Sequence, residues 1–226
     1  MILSKIERLR NNRCYNLYVD GKPLLRIHEE VLVKFGLRTG DEVCEDTLDT
    51  LKSSEEFVLA KEKALDILNR RVRSEKELRD SLRNKEFHPH TISMVVTHLN
   101  EMGILDDKKF AQLYTNHILS RKPSGKALLQ RELRLKGINS ALIKEVLQET
   151  LQENNEEQLA YSAALKAMKR SHISKNLTEV KKRQQKLSAH LSRRGFSWQT
   201  IQRVLRKISS GKSSALDDSI NELSSQ

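Results

Sequence analysis

Cysteine is nearly absent: the 226-residue chain has two, Cys14 and Cys44, far apart and outside any paired motif. That excludes a disulfide framework and reads as a reduced, intracellular protein. The histidines at 88, 90 and 98 form no ligand set, because His88 and His90 straddle Pro89 and no cysteine accompanies them. Ligand count therefore excludes zinc. Aromatic residues are 4% of the chain, too few for the exposed rings on which RNA-type platforms stack bases. No run of about 18 apolar residues occurs. The opening MILSKIERLRNNR lacks the apolar core of a secretory leader. A soluble, cytoplasmic protein with no membrane contact is expected. Catalytic signatures are missing too: no Gly-rich phosphate loop with Lys, no Gly-x-Ser-x-Gly, no His-Glu-x-x-His, no Cys-x-x-Cys. Nothing points to an enzyme, a cofactor or a metal.

Hydrophobic residues make up 37% and charged residues 31%, against roughly 45–50% and about 25% in ordinary domains. Such a chain favours thin units with much exposed surface over one thick core. The net charge of +11 is unevenly spread. Residues 1–56 carry −2, residues 57–103 and 104–156 carry +2 each, and residues 157–226 carry +9. A basic end of this kind favours polyanions such as nucleic acid.

What the chain does have is a helical phrase that returns three times. Leu78, Leu82, Lys85, Phe87, Ile92, Val95 and Val96 recur as Leu129, Leu133, Lys136, Ile138, Ile143, Val146 and Leu147. They recur again as Leu187, Leu191, Arg194, Phe196, Ile201, Val204 and Leu205. The offsets are 51 and 58 residues. Each phrase reads as two short amphipathic helices joined by a tight turn, with the Leu, Ile and Val positions facing a core. Units this small bury their apolar faces by stacking, which points to an elongated binding surface.

The remaining elements fall around this frame. Tyr15 to Val19 and Leu24 to Ile27 are strand-like and flank Asp20-Gly21, a hairpin signal. Glu29 to Gly36 reads as a short helix, and Gly40 with Glu42-Val43 as the start of another strand. Helical periodicity begins near Ser54 with Phe57, Ala60, Ala64, Leu65 and Leu68. Ser74 and Glu77 form a capping-box pattern. His88 stands at an N-cap before Pro89, and Asn139 or Ser140 and then Ser197 cap later helices. The expected organisation is a β-rich extension over 1–53, then three-helix repeats over 54–103, 104–154 and 155–208. A Ser-rich tail over 209–226 is expected to be disordered.

The residues Arg71-Val72-Arg73-Ser74-Glu75-Lys76-Glu77-Leu78 and Gly103-Ile104-Leu105-Asp106-Asp107-Lys108-Lys109-Phe110-Ala111 resemble the signature of the RecX family. Arg121 and Lys136-Gly137-Ile138 continue the match, and the resemblance covers roughly residues 57–208. One departure is Glu86, where the family's first unit usually has Gly before the aromatic Phe87. The resemblance implies a mainly α fold, an elongated, curved array of three tandem three-helix repeats behind the small β-rich extension. It also implies a regulator that lies in the groove of the RecA–DNA filament. Such proteins inhibit filament growth, ATP hydrolysis, strand exchange and co-protease cleavage. Weak, sequence-independent contact with single- and double-stranded DNA goes with that reading, and nothing demands more than a monomer. The alternative is a stand-alone DNA-binding helical module.

Candidate contacts are cationic. Arg71, Arg73 and Arg121 belong to the family phrases. In the last repeat, Lys181, Lys182, Arg183 and Lys186 cluster on one helix with Arg193 and Arg194 at its end. The spacing places Lys182, Lys186 and Arg193 on one outer face. In the next helix Arg203, Arg206 and Lys207 are left together outside the buried Ile201, Val204, Leu205 and Ile208. Two helices would thus present a compact basic area to DNA phosphates or an acidic protein surface. Asp106-Asp107 reads as a helix cap and dipole partner, not a metal site. Trp198, at a helix start, is expected to pack on its neighbour more than to stack on a base.

Overall fold

A computed structural model of the chain describes residues 1–10, 13–153, 155–169 and 177–209. The described residues are mainly helical and form two compact units, Met1–Asp106 and Asp107–Gln226. The tail from residue 210, expected to be disordered, lies outside the described residues.

The first unit opens with a three-stranded antiparallel sheet ordered β1 (Leu3–Arg8), β2 (Cys14–Val19), β3 (Lys22–His28). Asp20 and Gly21 both have positive φ, 50° and 79°. That is the two-residue turn whose twist matches the strands, so the Asp-Gly expectation holds. Helix α1 (Glu29–Phe35) follows and ends on Gly36, at φ 61°. The further strand expected to start at Gly40 with Glu42-Val43 does not form. Glu42 makes an isolated bridge to Ile2, and Val43 drops into the core.

Helix α2 (Glu45–Arg70) starts nine residues before the periodicity at Ser54 suggested. Thr47, Thr50 and Ser53 hide its first turns, since hydroxyl and β-branched residues read as loop. The Thr50 and Ser53 hydroxyls instead donate to the Asp46 and Asp49 carbonyls at 2.8 and 2.9 Å, which keeps them inside a helix. At 26 residues the helix is about 39 Å long, and it serves two cores. Leu48, Leu51 and Val58 pack against Leu3, Leu17, Ile27 and Val31 of the sheet and α1. Ala60, Ala64 and Ile67 pack against Leu78, Leu82, Ile92 and Val95 of α3 (Glu75–Arg83) and α4 (Pro89–Glu101). Phe57 touches both clusters.

Two glutamates on α2 hold these layers by hydrogen bonding. Glu55, 7% exposed, accepts from the His28 amide at 2.7 Å and lies 2.5 Å from His28 Nδ1. Glu56 accepts from the His88 amide and the Thr91 hydroxyl, both at 2.7 Å. It therefore caps α4, whose own N-cap His88 makes no side-chain bond. Ser74 caps α3 as its spacing implied, accepting from the Glu77 amide at 3.2 Å.

The second unit holds two repeats of like plan. α5 (Asp107–Arg121), α6 (Lys126–Leu135) and α7 (Ser140–Glu153) enclose Phe110, Leu129, Leu133, Ile143 and Val146. α8 (Glu156–Lys169), α9 (Leu177–Arg193) and α10 (Trp198–Ser209) enclose Ala160, Ala164, Leu191, Ile201 and Val204. Asn139 supplies the α7 cap, accepting from the Ala141 amide at 2.7 Å. The turn between the second and third helices is the same in all three repeats. It is left-handed at Glu86 (φ 64°), Gly137 (φ 84°) and Gly195 (φ 80°).

Repeats two and three meet backbone to backbone. The Gly125 amide donates to the Arg194 carbonyl at 2.8 Å, and the Ala127 amide to the Gly195 carbonyl at 3.1 Å. Orphan carbonyls at the end of α9 thus satisfy orphan amides at the start of α6. The approach leaves no room for a side chain. A Cβ on Gly125 would stand 2.3 Å from the Gly195 carbonyl oxygen, and one on Gly195 would stand 2.2 Å from the Leu128 nitrogen.

Candidate nucleoprotein interface

The third repeat carries most of the candidate cations, and its helices sort them onto separate faces. α9 buries Leu187 and Leu191. Steps of four and seven residues then set Lys182, Lys186 and Arg193 in one outward stripe, and all three are exposed. Among the described residues none of the three has an ion pair. The Lys181 side chain lies outside the described residues.

Arg183 and Arg194 lie on another side of the helix and are half-buried. Arg194 is turned to structure, because its Nη1 donates to the Pro123 carbonyl at 3.4 Å beside the glycine junction.

The cations of α10 do not stand together as the spacing suggested. Ile201 and Val204 hold the helix against α8 and α9. This directs Arg203 and Lys207 toward Glu157 of α8, Arg203 at 3.7 Å and Lys207 in direct contact. One carboxylate thus faces two of the three charges. Arg206 projects elsewhere, into a groove between α9 and α10 that Trp198 and Gln202 also line.

Trp198 corrects its expectation. It is 65% exposed and does not pack away on a neighbour. Ser197 accepts the Thr200 amide at 3.2 Å and Thr200, Ile201 and Val204 take the buried face, so the first helical position points outward.

The arginines of the family phrases differ among themselves. Arg71 is exposed and donates to Glu77 at 3.1 Å. Arg73 is half-buried against α3, with Nη1 3.5 Å from the Ser81 hydroxyl. Arg121 is exposed in the last turn of α5, where a cation faces the negative helix end.

Among the described residues no group of three or more His, Cys, Asp or Glu is placed to hold a metal ion. Asp107 is the first residue of α5, where a carboxylate meets the positive helix end. No described helix is long and apolar enough to cross a membrane.

Three consecutive stretches match family models. Residues 60–99 match RecX, first three-helix domain. Residues 106–147 and 155–205 match the second and third three-helix domains. The chain belongs to the RecX family.

Relatives agree along most of the length. A regulatory protein RecX of Clostridioides difficile is 34% identical over 92% of this chain and 95% of its own. One from Clostridium acetobutylicum is 31% identical over 91% and 95%. A crystal structure of regulatory protein RecX aligns at TM-score 0.76 and 25% identity, over 91% of this chain and 98% of that one. The RecX of Lactobacillus salivarius shares the fold at TM-score 0.61, over 69% and 98%.

Two features of this RecX-family chain escaped the sequence reading. The pairing of Arg203 and Lys207 with Glu157 joins residues roughly fifty apart, and no local pattern marks it. The groove beside Trp198 had a faint signal: Gln184 and Ser188 on α9 are spaced four apart, as are Trp198 and Gln202 on α10.

Proposed function

We propose that this chain regulates RecA, binding the RecA–DNA filament and restraining its growth, ATP hydrolysis, strand exchange and co-protease activity. Membership of the RecX family, with its three three-helix domains in order, carries the reading. The stripe Lys182, Lys186 and Arg193, exposed and without an ion pair among the described residues, supports a phosphate contact in the third repeat. A chain that works this way needs no catalytic residue of its own and binds DNA weakly, without sequence preference. A stand-alone DNA-binding module would instead read base edges in a groove. A stripe made of cations alone suits phosphates, which position a protein without selecting sequence.

The test is RecA ATPase on single-stranded DNA, titrated with this protein at near-physiological salt. Inhibition is expected, and unchanged hydrolysis at saturation would overturn the proposal. Reversal of Lys182, Lys186 and Arg193 to Glu should weaken filament binding at least tenfold. Losing three phosphate contacts should flatten the log–log salt slope by about 2. Arg203→Gln, which removes a charge already facing Glu157, should have a much smaller effect.

A further inference from the structure

We infer that the groove between α9 and α10 is a subsite for one unpaired nucleobase, with Trp198 as its stacking face. The inference rests on the DNA contact proposed above and deepens it.

Trp198 is the one tryptophan of the chain, and it is more exposed than any other large hydrophobic side chain described except Val33. A ring this bare gains nothing from the fold, and burying it is favourable for any flat partner. On α10, positions 198, 202 and 205 fall in one row at steps of four and three. Trp198, Gln202 and the half-buried Leu205 therefore line the same side, opposite Gln184 of α9. Arg206 stands next to this row and enters the same groove.

Each group matches part of a nucleotide. The indole offers a π-face, which every base can meet. Gln184 and Gln202 carry both donors and acceptors, as base edges do. The Arg206 guanidinium suits a phosphate oxygen. Among the described residues no carboxylate lines the groove, which favours a polyanion there. Its volume, about 280 Å³, lies just under the roughly 300–1,000 Å³ typical of small-ligand pockets. That suits one ring-bearing unit. A docking helix would need anchors at several successive turns, and the groove presents one ring and one leucine. An acidic peptide would need more than one cation, and among the described residues Arg206 alone brings a charge to the lining.

The single tryptophan makes the test direct. Intrinsic fluorescence is followed while the full chain is titrated with oligo(dT), with an abasic strand of equal length, and with polyglutamate. Anisotropy of labelled strands reports binding in parallel. Oligo(dT) should quench Trp198, while the abasic strand should bind without quenching. Trp198→Ala should weaken oligo(dT) binding about 5- to 150-fold and leave abasic binding and helical content unchanged. Trp198→Phe should restore most of the affinity.

Oligo(dT) that binds without quenching, or equally well to Trp198→Ala, overturns the subsite. Equal quenching by polyglutamate overturns it in favour of an acidic protein segment. The two proposals fail separately. Quenching by oligo(dT) with no effect on RecA hydrolysis removes the RecA reading and keeps the subsite. Full inhibition of RecA with no quenching does the reverse.

Discussion

The two units join neighbouring layers by opposite means. In Met1–Asp106 a shared helix does it: α2 gives Leu51 to one core and Ala64 to the next. Side chains then fasten it, Glu55 to His28, Glu56 to the start of α4, and Lys61 to Glu30 of α1 at 2.7 Å. Among the described residues of Asp107–Gln226 no helix is shared between the cores of the two repeats. The start of α6 meets the end of α9 through main-chain bonds at Gly125 and Gly195. Side-chain ties can be edited one atom group at a time. The backbone junction rests on main-chain bonds, and a Cβ added at Gly125 or Gly195 clashes with backbone atoms. The first design tolerates variation, whereas the second fixes the third repeat against the second.

The harshest way to break this contrast is Gly195→Ala. The new Cβ meets the Leu128 backbone nitrogen at 2.2 Å, and the residue must also keep φ 80°. A left-handed alanine costs about 1–2 kcal/mol and overpacking typically 1–3, so a loss of about 2–5 kcal/mol in the second unit is expected. Thermal unfolding measures it, and amide exchange at Ala127 should accelerate. Gly103→Ala is the matched control, with φ 66° and open space around its Cβ. It should cost only the left-handed part, about 1–2 kcal/mol. Equal losses for the two substitutions would mean that the junction bears no packing constraint.

Next in size is Glu55→Ala in the first unit. It strands the His28 amide and imidazole beside a vacated buried site, which should cost about 3 kcal/mol. Glu55→Gln keeps an acceptor and should lose clearly less. Urea denaturation of both variants checks the order, and a reversed order would show that the tie depends on charge alone.

Much of this architecture was legible because its signals are local. Asp20-Gly21 specifies a turn within two residues, Ser74 and Ser197 cap helices that begin one residue later, and the triple phrase marks three turns. Strand β1 was not legible. Leu3 to Arg8 mixes three charges into a weak alternation, and only pairing with β2 orders it. The early start of α2 was hidden by hydroxyl residues whose bonds run back along the helix. The glycine junction links positions seventy residues apart, and each glycine already has a sufficient local reason to exist, as a helix cap or a turn. At the candidate interface, helical spacing turns Lys182, Lys186 and Arg193 away from the core, and all three are exposed. It could not foresee that Glu157 meets Arg203 and Lys207, because charge pairing across helices follows packing angles, not periodicity.

Glu86 offers a smaller test with the opposite sign. It holds φ 64° where the other repeats have Gly137 and Gly195. Glu86→Gly should remove about 1–2 kcal/mol of left-handed strain and add about 0.5–1 of chain entropy. A net gain of roughly 0.5–1 kcal/mol in the first unit follows, read as a raised unfolding midpoint. A loss would mean that the Glu86 side chain contributes more than its backbone costs.

The smallest effect separates the units by pH. Glu7 on β1 accepts from Lys5 at 2.8 Å and from the Tyr18 hydroxyl of β2 at 2.8 Å. The Lys5 bond first, and the Tyr18 bond after it, hold its carboxyl below the ordinary glutamate value. A carboxylate lowered in the folded chain stabilises above its unfolded pKa, and that contribution fades as pH falls through the folded value. Acid should therefore loosen the β1–β2 edge of the first unit, seen as lower amide protection, relative to the intrinsic exchange rate, at Glu7 and its partner Asn16. Glu7→Gln should make that edge indifferent to the same acid range. The Gly125 and Gly195 junction has no titrating group in its main-chain bonds, so protection at Ala127, relative to the intrinsic exchange rate, should stay level across the range. Acid-sensitive protection at Ala127 would place a side chain in control of the second junction and remove the contrast.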